Sequence, residues 1–332
     1  MLYCVTGATG LLGNNLTRKL LSDGIQVRVS VREGSNLDSL EGLDLQIAKG
    51  DLNDPEFASS FLEGADGLFH SAGFIWFGSQ HLEKSIKVNV EASCNLARQC
   101  ARNKIRMVFV SSTDALAAGS EQTPADETCL DPPKGKSSYV VSKRQAEREL
   151  LQMRDRDGLE CVIVSPGLLM GPYDWKPSSG QMILAVTDGY VPFTPSGGIS
   201  VADVRNVADA MVVAMKSGRD GERYILAGKN MTYLQLWKQM AGLAGRKGPL
   251  AKMSGPMEKV VGFGGDLLTK IIRRETNVNS EAIHLGAYWN YYDSSKAIHE
   301  LGYEIGSTEA ALEDAWQWLK EFGYSKKHKP DS

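Results

Sequence analysis

The first residues constrain the fold of this chain more than any other stretch. An apolar, β-branched run, Leu2–Thr6, passes without a spacer into Thr6-Gly7-Ala8-Thr9-Gly10-Leu11-Leu12-Gly13 and on into a helical pattern over Leu11–Ser22. Glycines at 7, 10 and 13 allow a tight turn, let a ligand approach the backbone amides, and let the helix sit close on the strand. A strand that turns directly into a helix opens a βαβ unit. The alternation then continues, with strands expected at Val27–Val31, Leu45–Ala48, Gly67–His70, Met107–Val110 and Cys161–Val164, and long helices at Glu83–Arg102 and Ser138–Asp155. The strands read as nearly continuous apolar runs, as strands do when helices cover both faces of a parallel sheet. The expected architecture is doubly wound α/β.

After Pro166 the texture changes. Residues 171–200 are rich in Gly, Pro, Ser and aromatic residues, and regular patterns return at Val204–Met215, Arg223–Leu226, from Thr232, and at Ala310–Phe322. Loops of this composition at the carboxyl ends of strands are where α/β folds keep their sites. A length of 332 residues suits two lobes at ~150 residues each. The division expected is a nucleotide lobe over 1–170 and about 204–228, a smaller C-terminal substrate lobe over about 171–203 and 229–325, and a frayed tail at 326–332.

The glycine turn has the context of a pyrophosphate cradle: strand before, helix after, with the free N–H groups and positive dipole end of the helix turned to the anion. Its contacts would come from Gly7, Thr9, Gly10, Leu11, Leu12 and Gly13. Asp51, at the end of the third strand, is placed to accept from an adenine amino group, or else to cap the helix that follows Asp54-Pro55. At the end of the second strand an acidic residue would bond the adenosine ribose, whereas an arginine would accept a 2′-phosphate. Arg32 comes first off the strand and Glu33 second. NADP is therefore the expected cofactor, with NAD the alternative.

Tyr139 and Lys143 stand four apart at the start of a helical pattern, one turn, so both point the same way. A neighbouring ammonium and an oxidised nicotinamide both favour phenolate, which brings a tyrosine within reach of acid–base work. The bland alternative is a packed tyrosine beside a solvated lysine. The strand Val108–Val110 runs into three hydroxyls, Ser111, Ser112 and Thr113, again at a carboxyl end.

On these residues the chain resembles the extended short-chain dehydrogenase/reductases, over about residues 2–325. The likeness rests on TGATGLLG, GDL at 50–52, HSAG at 70–73, VNVEASCNL at 88–96, VFVSST at 108–113, YVVSK at 139–143 and VSPGLLMGP at 164–172. VADVRNVADAM, GERYILAGKNMTYLQL and YYDSSKAIHELGY are similar to its dihydroflavonol 4-reductase and hopanoid-associated sugar epimerase branch. The resemblance implies a Rossmann-type lobe and a Thr113–Tyr139–Lys143 triad. In that triad Tyr139 carries the proton, Lys143 bonds the nicotinamide ribose and Thr113 fixes the substrate oxygen. It also implies Asn89 near the nicotinamide, further cofactor contacts from Leu52, Ser71, Ala72, Gly73 and Ser111, and a Pro166-Gly167-Leu168-Leu169 loop against the carboxamide. It implies a homodimer through the two long helices. Dehydratases of the family carry Thr-Asp-Glu after the strand, and Thr113-Asp114-Ala115 lacks the glutamate.

Phe74, Ile75, Trp76 and Phe77 after the HSAG turn, and Tyr173, Trp175, Tyr190 and Phe193 in the loop region, are the candidates for the substrate pocket with Asp114, since aromatic side chains build apolar or stacking walls; plain core packing is the alternative for each. Arg205 is the candidate for a substrate diphosphate. A carbonyl or alcohol of moderate size suits this set, so reduction of an aldehyde or ketone is the expected reaction. A nucleotide-sugar 4-epimerase using bound NAD is the alternative, and a non-catalytic dinucleotide sensor the rival from another class. Residues 256–274 have apolar positions at helical spacing, read as a lid helix weakened by Gly262, Gly264 and Gly265, with a membrane-surface helix as a second reading.

Net charge is −3, from 37 basic and 40 acidic residues, which gives no electrostatic reason to expect nucleic acid or an anionic membrane as the main partner. No apolar run approaches the ~18 residues of a membrane span and no signal segment opens the sequence, so a cytoplasmic location is expected. Five scattered cysteines and five histidines lack Cys-x-x-Cys or His-x-x-x-His spacing. No metal site is expected, and the cysteines read as small buried hydrophobes.

Overall fold

The computed structural model describes residues 1–131, 135, 137–272 and 280–328, with no side chains for 267–272. The nucleotide lobe is built from β1 (Leu2–Thr6), α1 (Leu11–Ser22), β2 (Gln26–Val31), β3 (Gln46–Lys49), α2 (Pro55–Leu62), β4 (Gly67–His70), α3 (Leu82–Ile86), α4 (Ala92–Asn103), β5 (Arg106–Val110), α5 (Ser138–Asp157) and β6 (Cys161–Pro166). Beyond these the chain adds β7 (Leu168–Met170), α6 (Gly180–Asp188), β8 (Phe193–Thr194), β9 (Gly198–Asp203), α7 (Val204–Ser217), β10 (Arg223–Leu226) and β11 (Lys229–Thr232). It closes with α8 (Tyr233–Leu243), β12 (Ala251–Lys252), α9 (Gly255–Ile272), α10 (Ser280–Ala287), β13 (Trp289–Asn290), α11 (Ser295–Leu301) and α12 (Thr308–Glu321).

Seven strands form one parallel sheet in the order β10-β6-β5-β4-β1-β2-β3. The winding reverses between β1 and β4, so the crevice for a ligand opens at their carboxyl ends, where Gly7 and Ser71 lie. Alternate strand residues feed two cores. Val5, Val29, Val108 and Val162 pack under α1, α7 and α11. Cys4, Leu68, Met107, Phe109 and Ile163 pack under α2, α4 and α5. This two-sided burial is why the strands carry no polar alternation. Cys4, Cys94, Cys100 and Cys161 are all buried in the second core, and Cys129 is half-buried.

The expected helix over Glu83–Arg102 is two α-helices joined by a π-helical turn at Lys87–Glu91, which holds Asn89. The extra residue in that turn turns Asn89 inward, where it is buried. In the second lobe β9 pairs with β7, β11 and β13, and α6, α8 and α12 cover that small sheet around Trp316, Trp318 and Leu319. Two segments cross the expected division. β7 leaves the main sheet for β9, whereas Ala297, Leu301 and Tyr303, on and just after α11, pack in the first core of the nucleotide lobe.

α9 runs unbroken through its glycines. At Gly262 a Cβ would fall 2.9 Å from the Ser280 Cα, so the glycine serves the contact with α10 rather than a break. Of the 256–274 stretch, the side chains of Leu267, Leu268, Ile271 and Ile272 and all of residues 273–274 lie outside the described residues. The start of the tail is held: the Lys326 amide donates to Asp188 at 2.8 Å and His328 packs edge-on to Trp316. The rest of the tail, 329–332, lies outside the described residues. No helix among the described residues is long and apolar enough to cross a membrane.

Candidate active site

The glycines divide their roles. Gly7 has φ +76°, and a Cβ there would lie 2.7 Å from the Ala72 amide nitrogen. A Cβ on Gly13 would lie 2.3 Å from the Gly7 carbonyl oxygen. Both are therefore required by the protein's own packing. Gly10 is different: a Cβ would meet nothing nearer than 3.4 Å, so the space in front of it faces outward from the turn. Gly10 is the N-cap of α1 and has no side chain to cap it, which leaves first-turn N–H groups open to an anion. The Leu11 and Leu12 side chains are buried in the core, so only their backbone serves the cradle. Thr9 is half-buried at its rim.

Behind the cradle runs a chain of buried hydrogen bonds. The Ala72 amide donates to Thr6 Oγ1 (3.1 Å), Thr6 Oγ1 meets His70 Nδ1 (2.7 Å), His70 Nε2 meets Ser93 Oγ (2.8 Å), and Ser93 donates to the Asn89 carbonyl (2.7 Å). Because the Ser93 proton is committed to Asn89, the His70 Nε2 must donate and its Nδ1 must accept from Thr6. Burial lowers the His70 pKa to about 3, aided by the Lys143 charge, so the ring is neutral. Ser71 Oγ donates to the Thr6 carbonyl at 2.7 Å, fixing β4 to β1 at the crevice.

At the adenosine end, Arg32 is exposed directly after β2. Asp51 is exposed after β3 and accepts from the Asn53 amide at 2.9 Å, the main reason its pKa is lowered; Lys87 and Arg32 act in the same direction. Asp51 does not cap α2. That role belongs to Asp54, which accepts from the Glu56 amide. Leu52 uses its carbonyl to hold Asn95.

Tyr139 and Lys143 occupy the first turns of α5, over the carboxyl end of β5, and both are buried. Burial raises the Tyr139 pKa, the Asp114 carboxylate adds to the rise, and a hydrogen bond from Ser112 opposes it. The Ser112 hydroxyl therefore bears on Tyr139, and the next residue, Thr113, is buried beside it. Ser112 is extended (φ −159°) and caps the turn Thr113–Ala115 through the Asp114 amide at 3.1 Å. The Thr113 carbonyl instead accepts from the Tyr292 hydroxyl at 2.9 Å. Ser111 Oγ is buried with no hydrogen-bond partner. An unpaired buried hydroxyl at the carboxyl end of a central strand fits a polar ligand group in the crevice.

Lys143 Nζ donates to the Val110 carbonyl at 2.7 Å, and burial lowers its pKa to about 8, opposed by the Glu147 carboxylate one turn on. The inner face of α5 therefore carries Tyr139, Lys143 and Glu147 in one row. Glu147 is buried and paired with Arg223 of β10. Below about pH 8 Lys143 is charged and can stabilise the phenolate left when Tyr139 gives up its proton; above it that charge is lost. The kcat/KM of a reaction that takes its proton from Tyr139 is therefore expected to fall as pH rises through about 8. Initial rates from about pH 6 to about pH 10 check this, and a flat profile over that span removes Lys143 from the role.

Asn89 does not face the crevice with a free amide. It accepts from the Phe74 amide (2.7 Å) and donates to the Phe74 carbonyl (2.9 Å) and to Ser142 Oγ (2.9 Å). Asn89 thus ties the segment after β4 to α5, and that segment crosses the start of α5: Ser138 and Tyr139 donate their amides to Gly78 and Trp76. Gly73 lies close by, with its Cβ position 3.5 Å from Lys143 Nζ.

Of the aromatic residues expected at the pocket, Phe77 is the one beside Tyr139, 5.8 Å away and edge-on. Phe74 and Trp76 stack on one another, with Lys84 over Phe74 and His81 against Trp76. Tyr173, in a left-handed conformation (φ +70°), lies under Arg18 of α1 and against Trp318 of α12, away from the expected pocket. Phe193 is half-buried in β8, paired with Ala251. Arg205 is held by Asp203 (2.6 Å) and Asp314 (2.7 Å), so its guanidinium is not free for a diphosphate. Gly167 answers a packing need, since a Cβ would lie 2.7 Å from the Ser200 carbonyl. It stands between Pro166, which ends β6, and the half-buried Leu168 and Leu169 of β7. Asp114 is half-buried, and its charge acts on both Tyr139 and Tyr233. Among the described residues no three His, Cys, Asp or Glu side chains are grouped to hold a metal ion.

Residues 3–227 match the model of the NAD dependent epimerase/dehydratase family. The chain is 32% identical over 331 residues to a putative dihydroflavonol 4-reductase of Synechocystis, covering 98% of this chain and 96% of that protein. It is 31% identical over 327 residues to sterol demethylase protein B of Methylococcus capsulatus, covering 97% and 99%. Its fold superposes on the crystal structure of a nucleoside-diphosphate-sugar epimerase from Pseudomonas aeruginosa with a TM-score of 0.80, at 26% identity, covering 98% of this chain and 99% of that one.

Proposed function

Because the chain belongs to the NAD dependent epimerase/dehydratase family of extended short-chain dehydrogenase/reductases, and so is an NAD(P)-dependent enzyme, we propose that it is an NADP-dependent reductase of an aldehyde or ketone. The observation that carries this reading is the wall beside the proton donor: Phe77 flanks Tyr139, while the one arginine considered for a sugar-nucleotide diphosphate is locked between two carboxylates. The likeness to a protein named as a dihydroflavonol 4-reductase over nearly the whole chain supports the same direction.

When bound, the dinucleotide supplies the hydride. The cradle at Gly7–Gly13 would hold its pyrophosphate, Arg32 and Asp51 its adenosine end, and Ser111, Lys143 and the 166–169 segment its nicotinamide end. The remaining chemistry belongs to this chain's side chains. Tyr139 is held protonated by its burial, which suits an acid that must give its proton to the carbonyl oxygen. Ser112 donates to the phenol oxygen and stabilises the charge left there. Lys143 is fixed by the Val110 carbonyl and adds a positive field. Phe77 sets an apolar edge beside the donor. A homodimer through α4 and α5 belongs to the same reading.

The deciding experiment is a panel of aldehydes and ketones with NADPH and with NADH, followed by absorbance of the reduced nicotinamide. Stoichiometric oxidation with a carbonyl substrate supports the reductase. Interconversion of sugar-nucleotide epimers without net cofactor consumption would replace it with the epimerase. Cofactor choice is tested separately: Arg32→Ala should weaken NADP binding by about 1.5–3 kcal/mol, the range for a charge-assisted hydrogen bond, and leave NAD binding nearly unchanged. Calorimetry that finds equal affinities for the two dinucleotides in the unaltered protein would make Glu33 the ribose ligand instead.

A further inference from the structure

We propose that the outer face of α9, together with the ribbon that leads into it, docks on an anionic lipid surface. Pro256, Val260 and Phe263 stand at i, i+4 and i+7, so they form one row along the helix. All three are exposed, Val260 by 72% and Phe263 by 68%. Leu250, just before β12, is 70% exposed. The opposite side of the same helix is committed inward, with Glu258 buried and Gly262 against Ser280. Large apolar side chains this exposed and in register are uncommon on a soluble surface, and they mark a contact made with something else.

Charge identifies the occupant. Lys247, Lys252 and Lys259 are exposed on the same stretch. The two acidic side chains between 246 and 266 are both engaged internally: Glu258 accepts from the Ser196 amide at 2.9 Å, and Asp266 accepts from the amide and hydroxyl of Ser280. The face is therefore apolar along one row and basic at its margins, although the chain as a whole carries −3. This is the pattern of a helix that lies in the plane of a membrane surface, with its apolar row among the acyl chains and its lysines reaching the headgroups. A second copy of this chain fits less well, because a two-fold contact would bring the lysines of both faces together. Ribbon β8–β12 joins α9 to the substrate lobe through the Leu250 and Met253 amides, which donate to Pro192 and Thr194, so docking would turn the edge of that lobe towards the lipid.

The test is co-sedimentation of the full chain with phosphatidylcholine vesicles, with and without about one-third phosphatidylglycerol. Binding is expected to the anionic vesicles and to fall severalfold as salt is raised to about 0.5 M. Val260→Asp with Phe263→Asp, and separately Lys252→Glu with Lys259→Glu, should each lower the partition coefficient about tenfold or more. Circular dichroism confirms that these surface variants fold, and the salt dependence of the unaltered chain stands even where a variant does not. Equal recovery with and without anionic lipid overturns the proposal, as does unchanged binding by folded variants. Light scattering in which the Val260→Asp, Phe263→Asp pair turns a dimer into a monomer would assign the face to a second copy and also overturn it.

Discussion

Tyr139→Phe is expected to lower kcat for carbonyl reduction by about 10²–10⁴-fold, the range for loss of a general acid, with dinucleotide affinity nearly unchanged. The substitution removes one oxygen from a ring whose other contacts stay in place: Phe77 still packs edge-on against it, and the helix amide still donates to Trp76. The hydroxyl it removes is bonded to Ser112, at the turn where the substrate oxygen would sit. Cofactor titration by fluorescence, set beside steady-state rates, separates the two effects. A variant that keeps more than about a tenth of the activity would show that the proton comes from elsewhere. Ser112→Ala should raise the Tyr139 pKa further, because the Ser112 bond opposes the rise, and the pH profile reads that shift.

Glu147→Ala should destabilise the fold by about 3–5 kcal/mol, the cost of leaving a buried charge without its partner. Arg223 is 12% exposed, and Glu147 is its carboxylate partner across the α5–β10 contact. The change is legible in two measurements. Urea unfolding at neutral pH reads the stability loss. The pH profile reads the second effect: the Glu147 charge holds the Lys143 pKa up, so its removal should move the alkaline fall in rate below pH 8. Replacing Glu147 and Arg223 together by Met should recover most of the stability, because no unpaired charge is left. It should not restore the position of the alkaline limb. If the double variant is as unstable as the single one, the pair is not the source of the loss.

The features that were legible in the sequence are those fixed by local geometry. Gly7 and Gly13 follow from a strand that must turn into a helix within a few residues. Tyr139 and Lys143 follow from one turn of helix. The parallel sheet follows from strands apolar on both faces. What escaped depends on partners far along the chain. Three consecutive hydroxyls at 111–113 carry no local mark of their partners: Ser112 bears on Tyr139 and caps the turn that follows, while the buried Ser111 hydroxyl has none. Glu147 and Arg223 are 76 residues apart, so their pairing leaves no spacing to read. Tyr173 and Trp175 read as pocket residues because nothing nearby claims them, yet Trp318 of α12 does. The partners of Asn89 leave no mark in the sequence either: the π-helical turn places its amide on Phe74 and Ser142, beside Gly73 and Lys143.

The Tyr292 strap has a consequence for the order in which this protein is made. Its hydroxyl bonds the carbonyls of Thr113 and Ala117, at separations of 179 and 175 residues. On the ribosome, the glycine cradle and the first strands emerge while most of the chain is still to come. The turn that aims Ser112 at Tyr139 lacks its fastening until Tyr292 has emerged and β13 has found β9. A chain that ends before Tyr292 therefore lacks both bonds that fasten the Thr113–Ala115 turn, so loss of residues 292–332 reaches a turn in the first half of the sequence.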